Sequence, residues 1–236
     1  MQHWFLDSEF PNAEPQHSAF HVIPFPLEET VSYMGGTKEG PKAIIEASGQ
    51  LERLVEGYGN PGSLGIHTTD PIPVNGGLVH AIKLAGNAMQ YAMRCNATPV
   101  LLGGEHSVTN AAIDLLLDCG EVGVLQFDAH MDLRDTYEGS KLSHACVMRR
   151  VVEAGIPLFQ VGIRNYSEED LAAREQYRVG YYDASTLYRC KDLSSLKLPS
   201  LFPKKLYITF DVDAFDASLM SATGTPDPGG LFWWDA

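Results

Sequence analysis

Six side chains in this sequence have the types and spacing to hold cations. Asp128-Ala129-His130-Met131-Asp132 sets two carboxylates and an imidazole two residues apart; Asp211-Val212-Asp213 repeats that spacing, with Asp216 just beyond. Gly103-Gly104-Glu105-His106-Ser107 adds a second imidazole. Residues two apart share one face of an extended chain, so each cluster is expected to aim its ligands to one side. Four aspartates gathered in one cleft would repel one another unless cations sat among them. Imidazole and carboxylate without thiolate favour a hard to borderline ion such as Mn²⁺, with zinc, iron and nickel also compatible. Two such ions held roughly 3.5–4 Å apart can deprotonate a water between them near neutral pH, which makes hydrolysis the natural chemistry.

Each cluster must be positioned by the element before it. Apolar, β-rich runs are read at Ala19–Ile23, Leu64–His67, Thr98–Leu102, Val122–Phe127, Leu158–Val161, Val179–Tyr182 and Leu206–Phe210. The spacers have helical period: Leu78, Ile82, Ala85, Met89 and Met93 mark one apolar stripe, and another helix starts near Pro41. Strand and helix in alternation predict an α/β domain of three layers, α/β/α, with a mostly parallel sheet and ligands outside the carboxyl ends of its strands. All three clusters follow a strand end. Gly57–Ser63 and Gly224–Gly230 read as loops, and with no linker or repeat the expectation is one domain over residues 1–236.

Composition narrows the partners. The 236 residues carry 17 Lys and Arg against 30 Asp and Glu, a net charge of −13, which argues against a nucleic-acid backbone and suits a small cationic ligand. Four dispersed cysteines, Cys95, Cys119, Cys146 and Cys190, without a C-x-x-C pair suggest neither a zinc knuckle nor a disulfide framework. Met1–Asp7 lacks a basic region leading into an apolar stretch, and no apolar run approaches the ~20 residues of a membrane span. A cytoplasmic protein with no membrane partner is expected. His3, His17, His21, His67 and His80 fall outside the clusters and receive no role, and Trp233 and Trp234 read as buried at a helix start or exposed by truncation rather than as a binding platform. Gly103 and Gly104 are not a phosphate loop, because no Gly-Lys-Ser/Thr follows.

Gly103–Ser107, Asp128–Asp132, Ser143-His144 and Phe210–Gly230, in this order, resemble the arginase/agmatinase (ureohydrolase) family, and Tyr33–Pro41 extends the likeness toward bacterial agmatinases. The resemblance implies an arginase-type fold and two Mn²⁺ ions, one held by His106, Asp128, Asp132 and Asp211, the other by Asp128, His130, Asp211 and Asp213. It further implies attack of a metal-bridging hydroxide on a guanidinium carbon, with Asp132 orienting the nucleophile and His144 relaying protons to the leaving amine. In Ser140-Lys141-Leu142-Ser143-His144, Leu142 replaces the Asn with which arginases bind an α-carboxylate. That favours agmatine, hydrolysed to urea and putrescine, as in polyamine biosynthesis. Guanidinobutyrate or another linear guanidine is the alternative. The pattern departs at Ala217–Ala222, which lacks the family's prolines, and at Trp233–Ala236, where the family continues with a helix, an eighth strand followed by a substrate-gripping glutamate, and a final helix. A carboxy-terminally incomplete domain is therefore expected, with a catalytically silent metal-binding remnant as a second alternative. Family members are commonly trimers or hexamers, so a homo-oligomer is expected.

Overall fold

Pro41 has no N–H to satisfy and sits in the first turn of helix α1 (Gly40–Ser48), as its chemistry favours. In the computed structural model, which describes residues 3–190 and 192–236, the chain divides into two units. One runs to Glu29 and resumes over Gly35–Leu115; the other combines Thr30–Met34 with Leu116–Ala236.

The first unit holds a parallel sheet of β1 (Phe20–Phe25), β2 (Ile66–Thr68) and β3 (Thr98–Gly103), in the order β2-β1-β3. Helix α2 (Leu78–Arg94) packs on β1 and β3 through a face that keeps Ala85 and Met89 of the expected stripe but not Met93. The buried residues are Ala81, Ala85, Met89 and Ala92, while Met93 is 43% exposed. At Gly86 the helix comes close to the 3-10 turn His106–Ala112, where an added Cβ would lie 3.0 Å from Ala111 O. α3 (Ile113–Asp118) then leads out of this unit.

The second unit holds β4 (Val122–Phe127), β5 (Leu158–Val161), β6 (Gly180–Tyr182) and β7 (Lys205–Phe210), all parallel, in the order β6-β5-β4-β7. Between them run α4 (Val147–Glu153), α5 (Glu168–Gln176) and α6 (Ala184–Arg189). Val124, Leu158, Phe159, Val147, Met148 and Val151 are buried, and α4 packs on β5. Burying each such side chain contributes about 1.5–3 kcal/mol. All seven expected strands form, in two parallel sheets. The register fixes where the chemistry can be: Phe127 pairs with both Val161 and Phe210, so Asp128 and Asp211 leave adjacent strands at one level. No helix is long and apolar enough to cross a membrane among the described residues, and the four cysteines are free.

Candidate metal centre

The ladder continues for one bond past the strand ends. Asp211 N–H donates to Phe127 O (2.9 Å) and Asp128 N–H to Val161 O (3.1 Å), which seats both aspartates on the carboxyl edge of the sheet. From there the backbone does not stay extended. Ala129 bends the chain, and Asp132 lies at φ 54, a left-handed conformation uncommon outside glycine and tolerated best by Asn and Asp. The expected alternation over Asp128–Asp132 is thus replaced by a hooked turn. A straight strand would spread its ligands along one line, whereas the hook returns Asp132 toward Asp128, their carboxylate oxygens within 4.8 Å of one another. Past Asp211, itself extended, the chain again turns. Asp211 caps the 3-10 turn Val212–Ala214, accepting Asp213 N–H at 3.1 Å.

Asp128, His130 and Asp213 form a compact triad, each offering a ligand atom within 4.8 Å of the others. His130 Nδ1 lies 3.2 Å from Asp213 Oδ2 and 3.6 Å from Asp128 Oδ1. Asp128 is 1% exposed and Asp213 3%, yet every oxygen has a neutral donor. Asp128 Oδ1 accepts His130 N–H (2.7 Å) and Oδ2 accepts Gln126 Nε2 (2.8 Å). Asp213 Oδ1 accepts Ala129 N–H (3.1 Å) and Oδ2 accepts the Thr225 hydroxyl (3.3 Å). Burial pushes His130 toward the neutral form, but the Asp128 and Asp213 carboxylates beside it win and hold its pKa up to about 11. Asp213 is also raised, because burial and the charge of Asp128 outweigh the His130 proton. Two buried carboxylates that need a positive charge between them, with an imidazole turned to both, fit a divalent cation by donor chemistry.

His106 begins the 3-10 turn after β3 in the first unit. Gly104 admits no side chain there, since a Cβ would fall 2.0 Å from Leu27 O. Glu105, 5% exposed, ties the turn down by accepting Glu29 N–H at 2.8 Å and the Ser107 hydroxyl. In the second unit His144 follows the N-cap Ser143 of a short 3-10 turn. Its N–H donates to Thr30 Oγ1 (3.0 Å), its Nδ1 lies 3.3 Å from the same hydroxyl and 3.4 Å from Ser143 Oγ, and Tyr137 meets the ring edge-on. Asp216 is not drawn into the triad. It accepts Ser218 N–H and hydroxyl, Gly229 N–H and Gly230 N–H, which hold its carboxyl down at about 2 and pin the Gly-rich loop.

The sequence profile described as the Arginase family matches residues 18–236. The chain belongs to the arginase family. Among its arginase-family relatives, it is 35% identical to the N(1)-aminopropylagmatine ureohydrolase of Synechocystis sp., over 98% of this chain and 78% of that protein. It is 33% identical to the agmatinase of Pyrococcus horikoshii, over 98% of this chain and 80% of that one. The crystal structure of the agmatine ureohydrolase of Thermoplasma volcanium matches with a TM-score of 0.88 at 26% identity, covering 100% of this chain and 80% of that one. The chain thus spans about four-fifths of the arginase-family proteins it matches. Motif reading did not find Gln126, which donates to Asp128, Thr30, which meets His144, or Arg164, whose Nη2 donates to Asp213 O. The one local signal was an amide near the strand's end, Gln126, within an otherwise apolar run.

Proposed function

We propose that this chain is a manganese-dependent ureohydrolase that releases urea from a linear guanidine with an aminoalkyl tail, agmatine being the leading substrate and putrescine the product. The observation that carries the proposal is the Asp128–His130–Asp213 triad, its two carboxylates buried, at the carboxyl edge of the sheet in an arginase-family chain. His130 and Asp213 would hold one cation, His106 and Asp132 the other, and Asp128 and Asp211 would serve both. Two divalent ions so held supply Lewis acidity toward water and the guanidino group.

The chain's own residues account for the rest. Asp132 accepts a hydrogen bond from the attacking water and aims it. His144 has hydroxyls at Nδ1, from Thr30 and Ser143. With Nδ1 occupied by these hydroxyls, Nε2 is the ring nitrogen left to take up a proton and pass it to the departing amine. Without that proton an alkylamine is a poor leaving group. Leu142 offers no polar atom to an α-carboxylate, which favours a substrate without one.

A second substrate has a specific point in its favour: the 35% identical relative is named for N(1)-aminopropylagmatine, which contains the same guanidinobutyl group. Urea release by the Mn²⁺-loaded chain from agmatine, N(1)-aminopropylagmatine, guanidinobutyrate and arginine separates these readings. Turnover fastest with agmatine is expected. A preference for N(1)-aminopropylagmatine would transfer the assignment to it. Mn²⁺ binding without urea from any of the four would refute a hydrolase and leave a metal-binding protein.

A further inference from the structure

Gln126 and Gln160 are register partners, each one residue before the carboxyl end of its strand, β4 and β5, and both are 0% exposed. Buried amides on facing strands must satisfy each other or be satisfied from elsewhere. Here they are links in a longer chain. Arg174, on α5 and 5% exposed, donates Nε to Gln160 Oε1 at 3.1 Å. Gln160 Nε2 donates to Gln126 Oε1 at 2.7 Å and to Met131 O at 2.8 Å. Gln126 Nε2 donates to Asp128 Oδ2 at 2.8 Å and to His130 O at 3.2 Å. Beyond Arg174, its two remaining nitrogens grip both oxygens of Asp183 at 3.0 and 2.8 Å, and Tyr181 lies 4.1 Å from the guanidinium carbon.

The direction of every bond follows from the first. A guanidinium only donates, so the Gln160 atom facing it must be oxygen. That turns the Gln160 nitrogen to Gln126, whose facing atom must then be oxygen, and the Gln126 nitrogen is left for Asp128. A flip of either amide would set oxygen against oxygen, at Asp128 Oδ2 and His130 O or at Met131 O. Arg174 thus fixes the polarity from the oxygen end of Gln160, while Met131 O and Asp128 fix it from the nitrogen ends.

We propose that Gln126, Gln160 and Arg174 are positioning residues for the metal ligand Asp128, a one-way hydrogen-bond relay that keeps its carboxylate turned to the cations and fixes the backbone of the ligand loop. The proposal rests on the reading of Asp128 as a metal ligand. It makes Arg174, which touches no ligand, a determinant of metal affinity.

The test titrates Mn²⁺ alone into the full chain and follows the free ion by electron paramagnetic resonance, for the wild type, Gln126→Met, Arg174→Met, Arg174→Lys and the double variant Gln126→Met/Arg174→Met. Thermal unfolding in EDTA accompanies each titration. Gln126→Met keeps the volume and removes the donor, and Mn²⁺ affinity is expected to fall about 10- to 100-fold. Arg174→Met should weaken binding about tenfold, and Arg174→Lys, which keeps a donor-only head, should recover part of it. Because the relay acts through Gln126, the double variant should bind within about twofold of Gln126→Met. A residue that merely stabilised the fold would lower the melting temperature and leave affinity unmoved. If Gln126→Met does not accumulate as folded protein, the comparison of Arg174→Met with Arg174→Lys decides alone. Variants that bind Mn²⁺ as the wild type does, or effects that multiply in the double variant, overturn the relay. A wild type that binds no Mn²⁺ fails differently and overturns the metal centre itself, and the relay with it.

Discussion

Arg164 offers the most demanding test of how the ligand loops are held. Its side chain is 9% exposed and reaches three stretches of backbone at once. Nε donates to Pro228 O at 3.1 Å and Nη1 to Gly162 O at 3.2 Å. Nη2 meets Asp213 O at 2.6 Å, Asp227 O at 2.7 Å and Phe215 O at 3.2 Å. Nη2 has two hydrogens, so the long contact to Phe215 shares a proton, and four well-made bonds remain. At about 1 kcal/mol net for each, Arg164→Met should destabilise the chain by about 4 kcal/mol, a large part of the ~5–15 kcal/mol that holds a domain folded. With an m-value of about 3 kcal/mol/M in urea, the unfolding midpoint should fall by roughly 1.3 M. The measurement belongs in EDTA, where bound metal adds nothing. Arg164→Lys keeps the charge but cannot fork, so it should recover no more than about half of the loss. A Met variant within about 1 kcal/mol of the wild type would refute the reasoning, and so would a Lys variant as stable as Arg.

Three other outcomes are expected. Asp216, held down at about 2 by Ser218, Gly229 and Gly230, lies below its unfolded value near 3.9, so its contribution is complete above about pH 4 and lost as pH falls toward 2. After discounting for solvent the difference between wild type and Asp216→Asn should be about 1 kcal/mol at neutral pH and close over that acid range; a constant gap would contradict it. Burial pushes the Cys146 thiol up to about 11, with Asp132 and Glu169 adding to the shift and Arg150 opposing it, so an aromatic disulfide reagent at pH 8 should modify the other three cysteines first and Cys146 on unfolding; four thiols reacting at one rate would count against its burial. Mn²⁺ at 100 times its dissociation constant should stabilise the wild type by about 2.7 kcal/mol, and His130→Ala should abolish most of that gain; equal shifts in both proteins would remove His130 from the centre.

What the sequence reveals of this architecture is what depends on local pattern. Apolar runs of four to six residues bounded by glycine and polar residues mark the strands, and β4 and β5 fall on Val122–Phe127 and Leu158–Val161 without adjustment. Spacing alone could not give the hook at Asp132, because a left-handed aspartate and an extended one have the same letter; the choice is made by Arg149 N–H donating to Asp132 O and by Leu133 N–H donating to Asp170. Nor could periodicity show that α2 buries Ala92 and leaves Met93 exposed, since a hydrophobicity pattern ranks Met93 above Ala92. The supports of the site are remote by nature: Thr30 meets His144 across 114 residues, and Gln126 meets Gln160 across 34. Their residue types carry no signature until the fold brings them together.

The same contacts bear on how a cation would be received. Were the carboxylates bare, folding would have to bring Asp128 and Asp213 together in a buried place at severe electrostatic cost. Instead Asp128 takes Gln126 and the His130 amide, Asp213 takes the Ala129 amide and Thr225, and the imidazole of His130 is held protonated between them. A proton thus balances the cluster before any metal does, and the backbone donors fix the oxygens independently of it. Ligands placed in advance lose little further freedom when a cation replaces that proton, and the binding energy is then not consumed in ordering the loop. By this logic a substitution that loosens the loop, at Gln126 or Arg164, should weaken metal binding even where every ligand remains, whereas one that removes charge from the exposed surface should not.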